Sequence, residues 1–245
     1  MRFARLALCT LLIAGPLAGC KAKPAPDSGF LPRSGRLAED REHFPFHRVW
    51  VAHGWNAPRY QTIHIAEVDT SYLDDPGGWA KTNLKGHRIE EDTDKLAKYT
   101  RAEFEKAFRA DPSGRFTVVG TPQQDSLIFE LALIQVVPNK ATLGTLGLAA
   151  TVVAAPVGAG IAAKETAKGI VAIEGRVRAA DSGEVVAMFA DRETGKFGPI
   201  NLRRATWYGH AHKIIEEWAK QWVEISSAEI GAEIDDTRTW TLSPW

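Results

Sequence analysis

The chain has 245 residues, with 30 Lys and Arg against 30 Asp and Glu, 44% hydrophobic residues and 2 Cys. That length and apolar content suffice for a sizeable core. The even charge gives no reason to expect nucleic acid or an anionic lipid surface as a partner, and two cysteines exclude a disulfide framework of any size.

Arg2 and Arg5 precede an apolar run over residues 6–16, and the run closes on Leu17-Ala18-Gly19-Cys20. A charged start, a short apolar centre and a small-residue end predict a signal peptide over residues 1–19, too short for a membrane span. The last four residues resemble the bacterial lipobox. That resemblance implies lipidation of the Cys20 thiol, cleavage before it and acylation of the new amino group. The alternative is an ordinary signal peptide followed by an incidental cysteine. Cleavage also removes Arg2, Arg5 and Cys9, leaving 28 basic against 30 acidic residues and a formal charge of −2. Lipidation consumes the remaining cysteine, so the fold must rely on its core. Residues 20–29, rich in Pro and small polar residues, read as a lipidated flexible tether. Lys21 stands where an Asp, in lipoproteins of enterobacterial type, causes retention at the inner membrane. The resemblance thus implies the outer membrane, with the protein lipid-anchored and facing the periplasm.

A single domain is expected over residues 30–225, followed by a C-terminal tail, 226–245. Phe44, Phe46, Trp50, Trp55 and Tyr60 are punctuated by Pro45 and Pro58, which predicts extended segments. Residues 62–68 alternate as a strand, and Asp74-Asp75-Pro76-Gly77-Gly78 reads as a loop. A helix is predicted over residues 90–110, with Leu96, Thr100, Phe104 and Phe108 on one stripe and acidic residues at its start. Asp111-Pro112-Ser113-Gly114 stops it. Strands follow at 116–119 and 126–137. The longer one places Leu127, Phe129, Leu131, Leu133 and Gln135 opposite Ile128, Glu130, Ala132, Ile134 and Val136. Residues 169–179 form another strand, Asp181-Ser182-Gly183 a three-residue hairpin turn, and residues 184–191 the returning strand. A closing helix is predicted over 205–225, with Ala211, Ile214, Ile215, Trp218, Trp222 and Ile225 on its apolar stripe. This order predicts an α+β fold, a single mixed or antiparallel sheet with two helices packed on one face.

Residues 141–163 carry no charge and lie between Lys140 and Lys164. Gly144, Gly147, Pro156, Gly158 and Gly160 interrupt them, which argues against a transmembrane helix. A crossover packed on the sheet is the expected form, and an exposed apolar hairpin touching membrane or a neighbouring subunit is the alternative.

Several landmarks together resemble the bacterial lipoproteins of the domain of unknown function 3313 family. They are Ser28-Gly29-Phe30-Leu31, Arg48-Val49-Trp50, Pro138-Asn139-Lys140, Ile173-Glu174-Gly175, Asp181-Ser182-Gly183-Glu184-Val185, Asp191-Arg192 and Trp218-Ala219. Members often carry a Thr between the Ser and Gly of the hairpin turn, which is missing here. The resemblance implies an envelope lipoprotein and transfers no activity. The strand order is also similar to that of small periplasmic assembly-factor domains of the TolB amino-terminal and curli-secretion type, an analogy of fold alone.

Catalytic and metal motifs are sparse. His43 and His47 are separated by Pro45, His210 and His212 point apart on a helix, and His53, His64 and His87 stand alone. There is no HExxH and no Cys/His set. Asp74-Asp75 sits on a loop, and Glu90-Glu91-Asp92 suits a helix start. Ser71, Ser113, Ser126 and Ser182 lack a nucleophile-elbow context. No residue is assigned to catalysis, a cofactor or a metal, and Cys20 is the one assigned site. The leading expectation is a non-enzymatic interaction or assembly module, held to the membrane through Cys20, with an envelope protein partner or self-association. A module for a small apolar or lipid ligand, with Trp50, Trp55, Tyr60 and the apolar segment 141–163 lining a cleft, is the second. A hydrolase is the third. A deep cleft beneath the Trp residues favours the second, and converging His and carboxylates favour the third.

Overall fold

The computed structural model describes residues 24–40, 43–53, 59–73, 89–137, 169–194 and 208–228. The Cys20 segment, Trp55, Asp74-Asp75, His87, the 141–163 crossover and residues 229–245 of the tail lie outside them. Strands β1 (Arg48–Val51) and β2 (Thr62–Ile65) precede helix α1 (Ile89–Arg109). Strands β3 (Thr117–Val118), β4 (Ser126–Val137), β5 (Ile170–Ala179) and β6 (Val185–Thr194) follow, and helix α2 (Ala211–Ser227) closes the domain. They make one six-stranded sheet in the order β1-β6-β5-β4-β2-β3. The long ladders β4–β5, β5–β6 and β1–β6 are antiparallel. By contrast, β2 lies parallel to both β3 and β4, with α1 as the crossover that parallel neighbours require. The expected α+β fold is therefore the observed one, with both helices on one face.

The helix stripes explain the packing. Leu96, Thr100, Phe104 and Phe108 of α1 are buried, and so are Ile214, Ile215, Trp218 and Trp222 of α2. Apart from Thr100 they share one cluster with Ile63, Leu127, Phe129, Ile173 and Phe189 from the sheet. Thr100 satisfies its buried hydroxyl by donating to the Leu96 carbonyl at 2.8 Å. Trp222 lies at the centre of an aromatic group, its ring 4.8 Å from Phe189, 4.9 Å from Phe129 and 5.4 Å from Phe46. Gly175 faces this group across the β5–β6 ladder from Phe189. A methyl group on Gly175 would overlap the Phe189 ring edge. Gly175→Ala is expected to cost about 2–3 kcal/mol in urea denaturation, partly recovered by adding Phe189→Leu.

Four details differ from the sequence expectation. Arg48–Val51, expected only to be extended, is strand β1, paired with β6 from Arg48↔Ala190 to Val51↔Ala187. A register shift between Leu133 and Gln135 re-phases β4. Val136 thereby joins the helix-side core, while Gln135 accepts a hydrogen bond from Arg192 Nε at 3.1 Å. The hairpin is one residue wider than expected. Its loop closes on Ala179 and Glu184, and Gly183, at φ 71°, donates to the Ala179 carbonyl at 2.8 Å. Finally, α2 begins at Ala211, because residues 208–210 form a turn before it.

The other sheet face is covered by the chain's own N-terminal segment. Phe30 and Leu31 pack with Ala132, Ile134, Ala172, Met188 and Ala190, and Ala25, Leu37 and Trp50 lie against them. Residues 25–29, expected to belong to the tether, are tied down by polar contacts instead. Ser28 donates from its hydroxyl to Glu174 at 2.6 Å and from its backbone at 3.3 Å. Asp27 pairs with Arg48 at 2.7 Å. The Ser34 hydroxyl, followed by Arg48, holds the Asp27 carboxyl below its ordinary pKa. Downstream, Ala38 exchanges both backbone hydrogen bonds with Val49 and so covers the edge of β1.

Candidate functional site

Strand β6 turns Ala187, Phe189, Asp191 and Glu193 toward the helices, so two acids occupy inward register positions. The Asp191 carboxylate accepts three hydrogen bonds. His47 contributes its backbone N–H at 2.9 Å and its ring Nδ1 at 2.6 Å, and the Trp218 indole reaches the second oxygen at 2.7 Å. His47, Asp191 and Trp218 are all but fully buried, at 1%, 2% and 0% exposure. A His–Asp pair is a familiar catalytic fragment, and here both side chains are sealed from solvent. Its geometry pins the β1 approach, β6 and α2 to one another. Two landmarks noted separately in the sequence, Asp191-Arg192 and Trp218-Ala219, meet in this network.

The opposite face carries a second polar set. Glu174 receives Ser28, while Glu130 accepts Arg176 Nε at 2.7 Å and Arg178 at 2.8 Å. Burial works to raise the Glu130 pKa, but the hydrogen bonds from Arg178 and Arg176 outweigh it and hold the carboxyl below its ordinary value. Arg176 also donates to the Phe30 carbonyl at 3.0 Å and lies 4.6 Å over the Phe30 ring. Two further landmarks, Ser28-Gly29-Phe30-Leu31 and Ile173-Glu174-Gly175, thus meet as strap and seat.

At the β1–β6 end of this face an open cleft of about 450 Å³ is lined by Arg33, Arg36, Trp50, His53, Glu184 and Met188, among others. Arg36 lies over the Trp50 ring at 5.4 Å. Arg33 has φ 56°, the one non-glycine residue with positive φ among the described residues. Trp50 therefore lines a cleft, but not with Tyr60. Tyr60 is buried in the helix-side core on the other face, its hydroxyl 3.3 Å from Asp181. The expected grouping of the two does not form, because they lie on opposite sides of the sheet.

The remaining candidates disperse. His43 pairs with Asp40, and the His64 ring meets the Val119 carbonyl at 3.1 Å. Glu91 and Asp92 pair with Lys95 in the first turns of α1. Ser71 and Ser113 close turns on Asp69 and Asp111, and Ser126 bonds Thr62. Among the described residues no three His, Cys, Asp or Glu converge as metal ligands. The His212 ring packs at a tilt against Tyr99, 4.1 Å between centroids, and Tyr99 donates to Glu216 at 2.8 Å, joining the two helices.

His210, just before α2, has its ring Nδ1 sealed from solvent and its Nε2 3.4 Å from the Ile170 carbonyl. Burial, helped by neighbouring His212 and opposed by the Ile170 hydrogen bond, holds its pKa down from 6.5 to about 4. The unfolded chain takes this proton first. The stabilisation is therefore complete above pH 6.5 and is lost as pH falls toward 4, by about 2–3 kcal/mol. Thermal melts across that window should show a slope that His210→Phe flattens.

The family model described as "Protein of unknown function (DUF3313)" matches residues 26–222. Two solved structures are similar at low identity. Dodecameric PelC from Paraburkholderia phytofirmans is 13% identical, covering 71% of this chain and 95% of that one with a TM-score of 0.38. A variant of that PelC in a second crystal form is 11% identical, covering 71% and 94% with a TM-score of 0.36. A comparison with curated proteins gives no match.

Proposed function

The chain belongs to the DUF3313 family of proteins of unknown function, and from its own residues we propose that it is a lipid-anchored bacterial envelope protein. In this reading it is a non-enzymatic interaction or assembly module on the periplasmic face of the outer membrane, held there through Cys20. One observation carries the reading. The segment after the lipobox-like Leu17-Ala18-Gly19-Cys20 is built into the domain from Ala25 onward, through Ser28 on Glu174 and Asp27 on Arg48. An anchor at Cys20 thus acts on the folded sheet itself. Burial of the His47–Asp191 pair supports a structural role for it over a catalytic one.

A second reading, a periplasmic lipoprotein for a small apolar or lipid ligand, is favoured by the cleft at Trp50. Neither reading asks residues 141–163 to span a bilayer, and no helix among the described residues is long and apolar enough to do so. The test is Cys20→Ser. Radiolabelled palmitate should enter the wild-type protein and not the variant, and the variant should remain unprocessed or soluble. Label in the Cys20→Ser protein would refute the anchor.

A further inference from the structure

We propose that the cleft at Trp50 receives the phosphate-bearing head group of a lipid from the membrane in which Cys20 is anchored, an inference that rests on the lipid-anchor reading. The cleft has the chemistry for it. Arg33 and Arg36 line it, and neither guanidinium has a carboxylate partner among the described residues. A guanidinium fork matches phosphate oxygens in a way a point charge does not. Glu184 is the single carboxylate among the lining residues, so the guanidiniums outnumber it. Val185 and Met188 are apolar residues of its lining, and Trp50 supplies the amphipathic ring that suits a membrane–water boundary. The chain's even overall charge provides no long-range attraction to an anionic surface, so the selectivity is local to this pair.

Chain continuity supplies the second argument. Arg48 donates to the Ala25 carbonyl at 3.4 Å, and Arg48 stands two residues before Trp50 on the same face of β1. Successive same-face residues on a strand are about 7 Å apart. Ala25 lies five positions beyond Cys20, and an extended chain over five such steps reaches at most about 18 Å. A lipid on Cys20 therefore holds the cleft beside the head groups of its own leaflet. The backbone at Arg33 fits the same picture. Its left-handed conformation is a cost that the flanking contacts enforce, since Arg36 N–H closes the turn on the Arg33 carbonyl at 2.9 Å while buried Leu31 and packed Leu37 hold both sides. The strain places Arg33 beside Arg36 at the mouth of the cleft.

The test uses the full chain, processed by the cell and purified from its membranes in non-ionic detergent. Short-chain phosphatidylglycerol, kept below its micellar concentration, is titrated in and binding is read by Trp fluorescence and native mass spectrometry. Wild type should take one lipid, and Arg33→Gln with Arg36→Gln should bind it roughly thirtyfold more weakly. If the double variant melts early, Arg33→Gly relieves the backbone while removing one charge, and a loss of about fivefold is expected. Inorganic phosphate at equal concentration should not displace the lipid. Equal binding by wild type and both variants, or displacement by inorganic phosphate, overturns the proposal. The same spectra weigh the protein. A chain lacking the lipid mass on Cys20 refutes the anchor, whatever the cleft does.

Discussion

Trp218→Ala should lower stability by about 5 kcal/mol, since it leaves a large cavity and also strips a hydrogen bond from buried Asp191. In a domain of this size that corresponds to a fall in Tm of about 10–20 °C. Trp218→Phe separates the two contributions. It retains most of the ring volume but leaves the Asp191 oxygen unpaired, so a loss of about 2 kcal/mol is expected. A thermal melt of Trp218→Ala matching wild type would show that the α2 stripe is not core.

The second large effect centres on Asp191. Asp191→Ala removes the acceptor of three buried donors at once, two from His47 and one from Trp218. A loss of about 3–5 kcal/mol is expected from urea denaturation. Combining Asp191→Ala with Trp218→Phe should cost about 1–3 kcal/mol less than the sum of the two, because the indole donor has then lost a partner already absent. Strict additivity would mean that the three groups do not act as one network.

Both effects arise from contacts whose partners are far apart in the chain, and this separates what was legible in the sequence from what was not. The helix stripes were legible because Leu96, Thr100, Phe104 and Phe108, like Ile214, Ile215, Trp218 and Trp222, repeat at local spacing. The β5–β6 hairpin was legible for the same reason, through its alternation and Gly183. Strand β1 was not. It is four residues long, follows Pro45, and gains its hydrogen bonds from β6, about 140 positions later. The re-phasing of β4 was hidden too, because alternation carries no mark of an extra residue.

The polar sites left a fainter signal. Glu174 and Asp191 each end an apolar run, 170–173 and 185–190, and an acid in an otherwise buried stretch of strand implies a partner. Neither strand reveals that the partners are Ser28 and His47. The polar seating of residues 25–29, within the expected tether, was hidden for a related reason. Ala25, Asp27 and Ser28 offer little to bury, and composition alone suggests disorder. Their order comes from Glu174 and Arg48, which lie in the sheet. The cleft combines residues 33 and 36 with 50, 53, 184 and 188, so only the folded chain assembles it.

We propose lipid on Cys20 as the protein's one integral tie to the membrane. The peripheral head-group contact proposed for the cleft should yield to alkaline washing. The direct measurement expresses the chain from Lys21 onward, with residues 141–163 intact, exports it to the periplasm, and washes the membranes with carbonate. The protein should be recovered in the supernatant. Recovery in the membrane pellet would instead make residues 141–163 a membrane-inserted element in their own right, and lipid on Cys20 would not be the one integral tie.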